Sequence, residues 1–245
     1  LFTYCIYVCN FIFKIKFSTV SEDRIGGIAA ACDMHLRREK IDNLNTKLCF
    51  FIDNPCNYTL LGLLKKRNIF IKSKFLKTLL NLIKNKLIKK NIYVPVTEDL
   101  HSYREFYKTK PQIFLSLEQK KFGYQEISKW GIKENDWWVC FHGRDSNYLK
   151  KKYPNINFDY HNYRDFNPNT MIDAILTVIS KGGYAVIMGE DDNETLNIDN
   201  KKLIHYNKKY KTDFLDIFLC AEAKFFIGNS SGLKAVSQCF NVPIA

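Results

Sequence analysis

Apolar and polar positions along the chain follow two different periods, and each change of period marks an element. From Phe11 the alternation of Phe11, Phe13, Ile15 and Phe17 with Lys14 and Lys16 has the period of two expected of a half-buried strand. Ser18 to Gly27 then reads as a polar loop closed by paired glycines, followed by helical spacing from Ile28 to about Arg38. Lys47 to Ile52 is a second strand ending at Asp53-Asn54-Pro55, and Asn57 to Lys66 a short helix. From Ser73, Leu76, Leu79, Leu80, Ile83 and Leu87 share one helical face while Lys74, Lys77, Lys84 and Lys86 spread over the other side. This basic amphipathic helix suits either a core-facing position with a solvated back or contact with an anionic membrane. Tyr93 to Val96 reads as another short strand, Glu98 to Lys121 is broken at Pro111 and left unassigned, and Phe122 to Trp130 reads as a helix ending in a turn over 131–136.

The second half is more regular. Trp137 to Phe141 is a buried strand that delivers His142-Gly143-Arg144-Asp145 at its carboxyl end. Asn167-Pro168 supplies a side-chain cap and a first-turn proline for a helix running to Ser180, stopped by Gly182-Gly183. Tyr184 to Gly189 and Leu203 to Tyr206 read as strands, and Thr212 caps a helix through Ala221 with Asp213 and Asp216 in its first turn. Lys224 to Ile227 is then a strand, Gly228-Asn229-Ser230-Ser231-Gly232 a tight turn and Leu233 to Phe240 a helix; Val242 to Ala245 reads as a strand just beginning. Strands alternating with helices at this spacing predict an α/β fold with parallel sheets covered on both faces. We expect two domains, residues 1–130 and 131–245, the second lacking its closing elements.

Composition changes this picture in three places. The net charge of +12 points to an anionic partner. Lysine, asparagine and isoleucine are abundant throughout, however, so the few arginines are more informative than the many lysines. With the aromatics read mostly into strands, no basic patch interleaved with exposed aromatics is expected, which leaves nucleic-acid binding poorly supported. The eight cysteines are scattered through apolar runs without a Cys-x-x-Cys pair, as expected of reduced thiols in a cytosolic protein. Leu1 to Phe17 is apolar but interrupted by Asn10, Lys14 and Lys16, short for a membrane span and without a cleavage pattern.

The chemistry gathers at strand ends. In an open parallel sheet, ligands bind beyond the carboxyl ends of the strands, so His142 to Asp145 and Gly228 to Gly232 are expected at one crevice. Arg144 offers a planar fork for a phosphate or diphosphate; the Ser230-Ser231-Gly232 turn offers hydroxyls, amides and a helix N-terminus. The serines would serve equally as helix caps. His142 suits a general base, a donor to phosphate oxygen, or a structural imidazole, while Asp145 would orient Arg144. In the first half, Arg24 beside Gly26 and Gly27 suits close approach to an anionic ligand. There is no Gly-x-Gly-x-x-Gly, no phosphate-binding lysine motif and no metal-ligand set, and Glu190-Asp191-Asp192 reads as a solvated loop.

Taken together, Arg24-Ile25-Gly26-Gly27, Cys140 through Asp145, Tyr163-Arg164-Asp165, Ala185 through Gly189, Asp216 through Cys220, Phe226 through Gly232 and Val242-Pro243 resemble a family of bacterial glycosyltransferases linked to surface-polysaccharide synthesis. The motif order is also similar to that of two-domain, GT-B-type enzymes such as heptosyltransferases and, around His-x-Arg, fucosyltransferases. The resemblance implies two Rossmann-like domains and a nucleotide-sugar donor held in the second, with Arg144 and the turn of Gly228, Asn229, Ser230, Ser231 and Gly232 on its diphosphate and Arg164 among the substrate-binding residues. It implies a glycan or lipid-linked acceptor approaching past Arg24, Gly26 and Gly27, at the inner face of the membrane or in the cytosol. No metal and no cofactor beyond the donor are implied. Two positions depart from the pattern: Gly27 stands where a His is expected, and Gly143 replaces an apolar residue. A non-catalytic nucleotide-sugar-binding domain is the alternative.

Overall fold

The computed structural model describes residues 1–44, 46–96, 103–144, 153–157, 159, 167–189, 196 and 198–245. They fall into two compact units, Leu1–Phe114 and Leu115–Ala245, each built around a parallel sheet.

In the first unit the chain opens with helix α1, Phe2–Phe13, where the alternation from Phe11 predicts a strand. Phe2, Ile6 and Cys9 carry the helical spacing that decides this, since all three pack into one cluster and Ile6 is fully buried. Lys14 adopts a left-handed conformation that ends the helix, and strand β1 occupies only Ile15–Ser18. Strand β2, Lys47–Ile52, lies at the centre of the order β1-β2-β3, with β3 at Ile69–Lys72. Beyond β1, Tyr93 forms a single parallel bridge to Phe17 and not the strand expected over Tyr93 to Val96.

Helix α2, Ile25–Ile41, begins three residues earlier than the spacing predicts, and α3, Tyr58–Leu64, is capped by Asn57, which accepts from the Leu60 N–H at 2.8 Å. Helix α4, Lys74–Lys89, is the expected amphipathic helix, capped by Ser73. Its Leu80 and Leu87 join Ile6 of α1 over Phe17, Cys49 and Phe51, so α1 and α4 cover the same face of the sheet. A short helix α5, Tyr103–Lys108, is tied to α2 through a buried polar knot. The Arg37 Nε donates to Asp33 at 2.6 Å, its Nη1 donates to the Thr109 hydroxyl at 2.9 Å, and its guanidinium stacks over Phe106. Burial pushes the Asp33 carboxyl up to about 6 against the opposing pull of Arg37.

The second unit starts with α6, Leu117–Ser128, whose Ser116 and Gln119 form a reciprocal capping box. Strand β4, Trp138–His142, is followed by a 3-10 turn at Pro168–Met171 and α7, Ile172–Ser180; β5 spans Tyr184–Ile187 and β6 Leu203–His205. The one-turn helix α8 covers Tyr206–Lys209, α9 covers Asp213–Glu222, β7 covers Phe225–Gly228 and α10 covers Gly232–Cys239. The strands run parallel in the order β6-β5-β4-β7. Ile244 bridges Phe226, so the last residues lie along β7 as the pattern predicts. Val139, Phe141 and Ala185 pack on Met171, Ile175 and Val178, while on the other face Trp138 donates its Nε1–H to the Leu219 carbonyl of α9 at 3.1 Å.

Candidate functional site

Three strands of the second unit end beside one another. Pairing sets His142, the last residue of β4, opposite Gly228, the last of β7, and Phe141 opposite Ile187 of β5. His142 is therefore part of the strand and not of the loop after it. The two polar clusters expected at one crevice are adjacent in the sheet.

Glycine is required at two places around the imidazole. A Cβ on Gly228 would lie 2.0 Å from the His142 carbonyl oxygen, so no larger residue lets β7 approach β4 this closely. Gly189, just past β5, has φ +105°, and a Cβ there would lie 2.6 Å from the His142 ring. The ring sits in the space left by that missing side chain. Its Nδ1 is buried with no hydrogen-bond partner among the described residues. Burial pushes the His142 pKa down to about 4, with the Lys211 ammonium adding a smaller push in the same direction. The imidazole is thus neutral at physiological pH, with one nitrogen able to accept a proton and the other to donate.

Arg144 follows directly, and its backbone N–H donates to the Asn229 side-chain oxygen at 2.9 Å. This bond pins the segment after β4 to the turn after β7. Ser231 takes the capping role weighed for it: its hydroxyl accepts from the Lys234 N–H at the start of α10. Ser230 is exposed next to it, and Gly232 is the first helical residue. A half-buried arginine, an exposed hydroxyl, the N-terminus of α10 and the Lys211 charge together form a donor-rich, positive environment suited to an anion.

Asp145 and Arg164 lie outside the described residues, as do Tyr163, Asp165 and the acidic run 190–192. Arg24, Gly26 and Gly27 belong to the first unit. Arg24 is the exposed N-cap of α2, and both glycines lie within the helix's first turn, Gly27 buried. They are not the loop glycines expected, because the backbone turns helical at Ile25, and that first turn holds no acidic side chain. Two residues that matter at the strand ends were not singled out from the sequence. Gly189 is visible there only as a strand terminator, and Lys211 is hidden among many lysines. Among the described residues no three His, Cys, Asp or Glu side chains gather as a metal set.

No protein-family model and no curated protein sequence matches the chain. The solved structures that share its fold include two glycosyltransferases. The structure of E. coli ADP-heptose lps heptosyltransferase II aligns over 94% of this chain and 83% of its own, with a TM-score of 0.51 and 10% identity. The glycosyl transferase family 9 structure from Veillonella parvula DSM 2008 aligns over 94% of this chain and 79% of its own, with a TM-score of 0.57 and 12% identity. At such identities the shared property is the fold, an α/β fold with parallel sheets, in line with the heptosyltransferase resemblance of the motifs.

Proposed function

We propose that the chain is a glycosyltransferase that moves a sugar from a nucleotide-diphosphate donor onto a glycan or lipid-linked acceptor, in a two-domain arrangement of the GT-B type. The observation that carries this is the register of β4 against β7, with His142 opposite Gly228 and the Arg144 amide bound to Asn229. In this reading the donor diphosphate lies against Arg144, Ser230 and the first amides of α10. As the bond to the sugar breaks, negative charge grows on the diphosphate, and the Arg144 guanidinium with the nearby Lys211 charge stabilises it in place of a metal ion. His142, neutral at the working pH, donates a hydrogen bond to a phosphate oxygen or accepts the acceptor's proton. In the first unit, Arg24 is the residue assigned to the acceptor. Likeness of fold to a heptosyltransferase and a family 9 glycosyltransferase supports the reaction class.

The test is a thermal-shift screen against nucleotide sugars, followed by transfer assays with the donor it identifies. A donor that binds only the folded state raises the melting temperature. Arg144→Ala is expected to lower donor turnover about a hundredfold, the effect of removing one preorganised charge-stabilising donor. Unchanged turnover would overturn the diphosphate assignment. A non-catalytic nucleotide-sugar-binding domain is the second reading, favoured by Gly27, which stands buried in the first turn of α2 where the family pattern has a His. Binding of nucleotide diphosphates without transfer to any acceptor would select it.

A further inference from the structure

Helices α1 and α4 bury one side each against the same face of the first sheet, through Ile6 and through Leu80 and Leu87. Their opposite sides carry an unusual load of apolar side chains for a surface. On α1, Tyr4 is 69% exposed, Phe11 87%, Ile12 60% and Phe13 64%; on α4, Phe75 is 70% exposed and Leu82 76%. Scattered single apolar residues on a surface need no explanation, but six large ones on two neighbouring helices do. Helix α1 contains no charged residue at all, and α4 carries five lysines and no acid. Lys14 follows α1 and Lys90 follows α4, both exposed.

From this combination we infer that the α1–α4 face docks on the surface of an anionic lipid bilayer. The aromatic and aliphatic side chains enter the boundary between headgroups and acyl chains, and Lys14, Lys84, Lys86, Lys89 and Lys90 meet the lipid phosphates. Charge selects this occupant over a second copy of the chain, which would set lysine against lysine across a two-fold contact. The helices lie on the bilayer and do not cross it: among the described residues no helix is long and apolar enough to span a membrane. The inference does not depend on the transfer reaction. It extends the basic-helix expectation to α1, which the residue pattern assigns in part to a strand.

Co-sedimentation of the purified chain with lipid vesicles tests it. Binding is expected to equimolar phosphatidylcholine and phosphatidylglycerol vesicles, to fall with salt, and to be negligible with phosphatidylcholine alone. Replacing Lys84, Lys86 and Lys89 together by Gln should weaken partitioning about a hundredfold, roughly fivefold per lysine. Phe11→Ser with Phe13→Ser should weaken it at least about tenfold. All five side chains are at the surface or partly so, and unchanged thermal melts will show that the variants fold. No binding to the anionic vesicles, or binding indifferent to both sets of substitutions, would overturn the inference. So would a lipid-free dimer, measured by light scattering, that Phe11→Ser with Phe13→Ser dissolves.

Discussion

The imidazole of His142 makes a quantitative prediction for the pH dependence of stability. Its pKa falls from 6.5 in the unfolded chain to about 4 in the fold, chiefly because burial disfavours the cation. Above pH 6.5 both states hold it neutral and it contributes nothing to pH dependence. Between 6.5 and about 4 the unfolded chain takes up a proton that the folded state refuses, so stability falls as the pH falls. At about pH 5 the difference is roughly 1.5 pH units at ~1.4 kcal/mol each, or about 2 kcal/mol relative to about pH 8. Urea unfolding followed by tryptophan fluorescence reads the right part of the molecule, because all three tryptophans, Trp130, Trp137 and Trp138, lie in the second unit with His142. The comparison is wild type against His142→Asn. The variant loses contacts beside Gly189 at every pH, a constant offset, whereas the titration is lost only with the imidazole. Wild type is expected to lose about 2 kcal/mol more than the variant between about pH 8 and about pH 5. Parallel profiles would refute the burial argument and, with it, the neutral imidazole on which the His142 role rests.

Two further substitutions probe the framework. Gly228→Ala places a methyl group against the His142 carbonyl oxygen, where the added Cβ would meet backbone at 2.0 Å. It should cost about 3 kcal/mol or more by denaturant unfolding, whereas Gly62→Ala on α3, with nothing within 4 Å, should be neutral or stabilising; equal effects would refute the close-approach account. Arg37→Ala removes the Asp33 and Thr109 bonds and the stack on Phe106, leaving a buried carboxyl without its cation. A loss of about 3–5 kcal/mol in guanidinium unfolding is expected, and one below about 1 kcal/mol would show that the knot is not structural.

Where residue pattern and fold agree, burial on both sides of a strand made the pattern unambiguous. Trp138 to Phe141 and Leu48 to Ile52 are continuous apolar runs because nothing around them is solvent. The N-terminus misled for the opposite reason. Phe11 and Phe13 are exposed, so their alternation with polar residues carries no information about burial, and the real helical signal lies in Phe2, Ile6 and Cys9. Strand β3 is partly exposed, and its four residues Ile69 to Lys72 give too short a run to register. At the site, the adjacency of His142 and Gly228 was legible, since parallel strand ends gather by topology. The clearance that Gly189 gives the imidazole was not, because it is a contact between strands with no local signature. The paired glycines after Arg24 have the composition of a loop, yet the helix has already begun at Ile25, a boundary of a few residues that spacing alone rarely fixes.

The strand order β6-β5-β4-β7 has a consequence that no single residue carries. From β4 the chain advances outward through β5 and β6, then doubles back to lay β7 on β4's other side. Helix α7 lies on the face of Val139 and Phe141, and α9 on the face of Trp138. Helix α10, which follows β7, packs against α9, so the helices that follow the adjacent strands β4 and β7 lie toward opposite faces of the sheet. Such a topological switch point is where open sheets of this type bind ligands. The switch point exists because of how the chain is wound, so the chemistry of positions 142–144, 189 and 229–231 can diverge and change what is held there without the fold having to change.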